Sequence, residues 1–114
     1  MDQNQLNEVL DAIETEANHD WVSLLDVASA IQDILLISTQ DDRRLEPAIF
    51  DVVKAMLASE RYRPVRMDSS TSPGCVALSE SPEETLMRIH DAIREKGLAQ
   101  CWYVGLFDRI ARLN

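Results

Sequence analysis

Few side chains in this sequence have the type and spacing to do chemistry. Cys75 and Cys101 are the two thiols. Neither has a histidine or lysine spaced to hold it as a thiolate, so both read as reduced, small, core-filling residues. His19 sits in Asn18-His19-Asp20 and reads as a solvated loop residue, with no second ligand at metal-type spacing. His90 borders an apolar stripe and has only Asp91 beside it, so it reads as a half-buried packing residue rather than a base. Asp41 and Asp42 are adjacent, but no histidine or third carboxylate accompanies them, which makes them helix-entry residues rather than a metal or acid–base pair. The residues therefore imply no enzyme, no metal and no cofactor.

The distribution of carboxylates says more. The net charge is −9. Residues 1–42 hold ten Asp and Glu and no Lys or Arg, whereas from residue 61 onward seven acids face eight bases. Such a field repels nucleic acid and anionic membrane and draws in basic proteins. The candidate partner-binding residues are Glu8, Asp11, Asp26, Asp33, Asp41 and Asp42. The partner they imply is a basic protein, with its oligomeric state and that of this chain left open.

The elements that must carry these acids follow from apolar spacing. Leu6, Val9, Leu10, Ile13 and Ala17 form one helical stripe over residues 4–17, with Glu8 and Asp11 opposite and Asn18 available as a left-handed cap. The stretch from Trp21 to Ser38 is the most apolar, and the chain is expected to pack around it. Leu24, Val27, Ala28, Ile31, Ile34 and Leu35 make its buried stripe, and Asp20 or Ser23 caps it, the latter in a box with Asp26. Asp26 and Asp33, seven residues apart, share an outward line. Leu25, Leu36 and Ile37 lie off the stripe; exposed, they would be apolar anchors beside those acids, and buried, they would pack against neighbouring helices.

A third helix is expected from near Glu46 to Ser59 or Glu60, because Pro47 is tolerated only in a first turn, with a turn or short helical piece at 41–45. Its stripe is Ile49, Val52, Val53, Met56 and Leu57. Residues 61–67 and 75–78 read as strands of a hairpin, with Pro64 acceptable on an edge. Ser81-Pro82-Glu83-Glu84 is the clearest local signal: a cap, a first-turn proline and a capping box. It opens a helix to Lys96 with Leu86, Ile89 and Ile93 inward, a Glu84–Arg88 pair, and Gly97 as terminator. Residues 100–113 fit either a helix or a strand near 101–105 followed by a short helix. The fold class is mainly α, about five helices with one short two-stranded β-hairpin, as one domain over residues 1–114. A winged-helix-like arrangement is open to it. In that arrangement residues 46–60 would enter a DNA groove, but Asp51, Lys54 and Ala58 are not a row of bases.

No run approaches the roughly 20 apolar residues of a membrane span. The opening Met-Asp-Gln-Asn-Gln has no basic or apolar signal region, so a cytoplasmic location is expected.

Through Trp21-x-x-Leu24-x-x-Val27 and Ser81-Pro82-Glu83-Glu84-x-Leu86-x-Arg88-Ile89, the chain resembles a group of small bacterial proteins built of helices, a hairpin and a helix with this cap. In size and acidity it is similar to small acidic immunity proteins of bacterial toxin systems, including contact-dependent inhibition. The resemblance spans residues 20–105 and implies scaffold positions at Trp21 and Ser81 and no catalytic residue. It implies a cytoplasmic inhibitor that covers a basic toxin, a nuclease being the class that presents such a surface. The alternative is a winged-helix-like regulator or scaffold that dimerises through the central helix.

Overall fold

The computed structural model describes residues 1–37, 42–70, 74–101 and 104–109. Within these the order is α1 (Gln3–Ala17), β1 (Val22–Ser23), α2 (Leu24–Leu35), α3 (Asp42–Ala58), β2 (Tyr62–Met67), β3 (Cys75–Ala77), α4 (Pro82–Lys96), a 3-10 turn (Leu98–Gln100) and β4 (Leu106–Arg109). The fold is mainly helical, with a small antiparallel sheet. Among the described residues it has four α-helices and four strands, where the sequence suggested about five helices and a two-stranded hairpin.

Three of the helices begin with a capping box. Asp2 accepts from Gln5 N–H while the Gln5 side chain accepts from Asp2 N–H. Ser23 and Asp26 do the same for α2, and Ser81 and Glu84 for α4. Each box satisfies two N–H groups that a helix start otherwise leaves unpaired. Asn18 terminates α1 in the right-handed region, φ −70°, not the left-handed one. The left-handed position falls at Leu36, which ends α2 with φ 56°. Gly97 closes α4 at φ 84°, a value that suits glycine.

α3 begins at Asp42, a turn before the expected Glu46, and holds Pro47 inside. The reason is Leu45. It extends the buried stripe of Ile49, Val52, Val53 and Met56 back by one turn and is itself buried. Its burial outweighs the one intrahelical bond that Pro47 cannot donate, and the exposed proline lies where water can reach the freed carbonyl.

The four helices pack on one face of the sheet. Val22, Tyr62 and Phe107 reach from that face into a core with Val9, Ile13, Leu24, Ile31, Ile49, Val52 and Ile89. On the other face Val65 and Cys75 form a smaller cluster with the half-buried Trp21. Trp21 thus belongs to the sheet rather than anchoring α2. Alternation along each strand divides the two sets.

The strand order is β1-β4-β2-β3, all neighbours antiparallel. β2 and β3 form the expected hairpin, with Val65 opposite Ala77 and Met67 opposite Cys75. β4 was not expected. It lies later than the suggested 101–105 strand and pairs with both β1 (Val22 opposite Phe107) and β2 (Tyr62 opposite Arg109). Pro64 is therefore in an inner strand, not on an edge. Its carbonyl accepts from Leu78 N–H at 2.9 Å, just beyond the end of β3, so its missing donor falls on that side and the ladder to β4 is kept.

Gly105 sits where the chain enters β4. A Cβ there would lie 2.5 Å from Leu24 Cγ, so glycine lets this strand approach α2. No helix among the described residues is long and apolar enough to cross a membrane.

Candidate protein-interaction surface

The acid-bearing helices α1 and α2 pack side by side, and their buried stripes decide where the carboxylates go. Burial of Val9, Ile13 and Ala17 turns Glu8 and Asp11 outward, and both are exposed. Burial of Leu24, Val27, Ala28 and Ile31 does the same for Asp33. Asp26 is different. One of its oxygens accepts from Ser23 N–H at 2.9 Å and Ser23 Oγ–H at 3.1 Å, so it is half-buried and committed to the cap. Asp42 opens α3, and its side chain and all of Asp41 lie outside the described residues.

The candidate acids are not one cluster. Asp26 and Asp33 line a shallow cleft of about 150 Å³ between α1 and α2, joined by Glu16 from α1, which is not among the acids singled out from the sequence. Asp11 faces the opposite flank of α1. There it shares a depression of about 520 Å³ with Glu14, Arg61 and Tyr62. Glu8 stands on the outer line of α1 between the two flanks.

The second flank is partly neutralised from within. Arg61 Nη1 lies 3.3 Å from Glu14 Oε1, and Arg109 donates to Asn18 Oδ1 at the end of α1. The last turn of α1 has no basic residue of its own. The two arginines, one just before β2 and one at the end of β4, supply positive charge to the negative end of this helix. Sequence spacing carries no signal for these pairs, which join residues 47 and 91 positions apart. Among the described residues, no base pairs with Glu16 or Asp33 on the flank facing α2.

Of the three apolar residues beside the acids, two are exposed. Leu36 is 86% accessible and Leu25 45%, while Ile37 at 6% belongs to the core. The remaining chemistry is structural. Cys75 and Cys101 are buried and unpaired with each other. Burial pushes the Cys101 thiol up from its usual range, and its S–H donates to Gly97 O at 3.2 Å. Cys75 donates to the buried Asp108 at 3.6 Å. His19 is exposed, as expected; His90 is exposed too, not half-buried, with its ring 5.8 Å from Phe50.

Arg88 pairs not with Glu84, which is occupied in the α4 cap, but with Glu80, at 2.8 and 2.9 Å. It also donates to Val104 O, and Thr85 Oγ1 donates to Glu80 at 3.2 Å. The Arg88 hydrogen bond, against some loss of solvation, holds the Glu80 carboxyl below its usual range. No group of three or more His, Cys, Asp or Glu among the described residues is placed to hold a metal ion.

Compared with known proteins, the chain matches no family model, no curated protein and no solved structure.

Proposed function

We propose that this chain is a protein-binding inhibitor, an immunity-type protein that neutralises a basic bacterial toxin domain by covering a surface that otherwise meets phosphate. The observation that carries this reading is the concentration of ten acids without one base in residues 1–42, of which Glu8, Asp11, Glu16 and Asp33 are exposed on α1 and α2. A nuclease is the class of target whose lysines and arginines such a surface imitates phosphate for. Exposed Glu8, Asp11, Glu16 and Asp33 supply the long-range field, which speeds encounter more than it tightens the final complex. Asp26 contributes charge but is held by its cap. The reading involves no catalysis by this chain.

The test is association kinetics with a partner isolated on the immobilised protein and identified. Reversal of Glu8, Asp11 and Asp33 to Lys is expected to slow association roughly tenfold or more at low salt, and to flatten its dependence on salt. Unchanged on-rates and salt slopes in a folded variant would make the acidic helices a solvated face and end this reading.

A further inference from the structure

Leu36 is placed against two rules at once. It is a large apolar side chain left 86% exposed, and its backbone is left-handed, φ 56° and ψ 37°, where glycine or asparagine is the usual occupant. Exposure forgoes the stabilisation of burial, and the conformation adds strain of its own. Residues that hold strain without a folding benefit mark binding sites more often than chance placement would. Exposed Asp33 lies three positions before Leu36, in the last turn of the acidic helix α2.

What covers Leu36 is decided by charge. A second copy would bring two surfaces from the same base-free segment of residues 1–42 against each other, and like charges across an interface oppose association. A basic protein meets no such cost. We infer that Leu36 is the apolar anchor of the acidic surface, entering an apolar pocket on a protein partner whose rim carries Lys and Arg. This rests on the proposed function and specifies the partner's surface: cationic at the edge and apolar at the centre.

The probes are two synthetic helical peptides of equal positive charge. One has leucines on the face opposite its lysines; the other has serine at each of those positions. The protein is expected to bind the leucine peptide about tenfold more tightly. Leu36→Asn, which suits a left-handed backbone, is expected to remove that preference and leave the affinity for the serine peptide unchanged. The same variant is expected to raise the denaturation midpoint, which separates loss of binding from loss of fold. A preference that survives Leu36→Asn overturns the anchor while the acidic reading stands. Failure of the protein to bind either peptide overturns both. A dimer seen by sedimentation and dissolved by Leu36→Asn would mean that a second copy covers Leu36, and overturns the assignment of a basic partner.

Discussion

Single residues here are constrained by contacts that their neighbours in sequence do not announce. Gly105 is the sharpest case. A Cβ at this position would lie 2.5 Å from Cγ, 2.9 Å from Cδ2 and 3.0 Å from Cδ1 of the fully buried Leu24. Gly105→Ala is therefore expected to cost about 1–3 kcal/mol, the range for overpacking a core, with part of the loss recovered by Leu24→Val. Urea midpoints of the single and double variants check this. Asp26 and Asp33 look equivalent in sequence, seven apart on one helix, yet one closes a capping box and the other is free to face a partner. Asp26→Lys should lower stability by about 1 kcal/mol through loss of the cap. Asp33→Lys should leave stability within about 0.5 kcal/mol, the usual range for a surface change. Thermal unfolding of the two variants separates the roles, and equal losses would mean that the outward position of Asp33 is wrong.

At the scale of elements, local signals and tertiary ties act together. α4 begins with a box legible from Ser81 to Glu84, but its attachment to the rest of the fold runs through Arg88, which bridges Glu80 and the carbonyl of Val104 just before β4. Glu80 titrates below its usual range in the folded chain. A depressed folded value contributes stability that is present above the ordinary glutamate range and disappears as pH falls through that range toward the folded value. Glu80→Gln is therefore expected to be less stable than the parent at neutral pH, with the gap narrowing on acidification. Urea midpoints across an acid-to-neutral series measure it; a gap that stays constant would mean the carboxylate charge contributes nothing there. α3 shows the same lesson in a different way. Pro47 argued for a late start, and the burial of Leu45 overrode it.

For the whole molecule, β4 is the piece that closes the architecture. It lies between β1 and β2, and its Phe107 is fully buried against the helical core. Phe107→Ala is expected to cost about 3–5 kcal/mol, a large part of the stability of a domain this size, and to loosen both strand pairings together. Hydrogen exchange at β1 and β2 amides would report this; protection lost at only one of them would mean that β4 is not the joint. The charge distribution is the other global property. With the N-terminal helices acidic throughout and the arginines Arg61 and Arg109 turned toward α1, duplex DNA is expected not to bind at physiological salt. An anisotropy titration showing sub-micromolar, salt-sensitive binding would contradict that.

Much of the local structure was legible in the residues themselves. The stripes of α1, α2 and α4, the boxes at Ser23 and Ser81, the turn at Gly97 and the hairpin of β2 and β3 all follow from interactions over a few positions, which spacing records directly. The outward placement of Glu8, Asp11 and Asp33 follows from the same periodicity. What only the tertiary structure decided is whatever depends on distant partners. β4 became a strand because two edges, on β1 and β2, were available to pair with it; its own short sequence, preceded by Gly105, suits more than one conformation. Arg88 chose Glu80 because Glu84 was already used by its cap. The acids of the first helices were divided into two flanks because α1 is wedged between α2 on one side and α3 with β2 on the other, and only the second side brings an arginine. Leu25, Leu36 and Ile37 had equal claims to burial, and the end of α2 separated them: the left-handed turn at Leu36 sends Ile37 into the core and leaves Leu36 in water. Periodicity describes a helix while it lasts, and it says nothing about the residue at which the chain turns away.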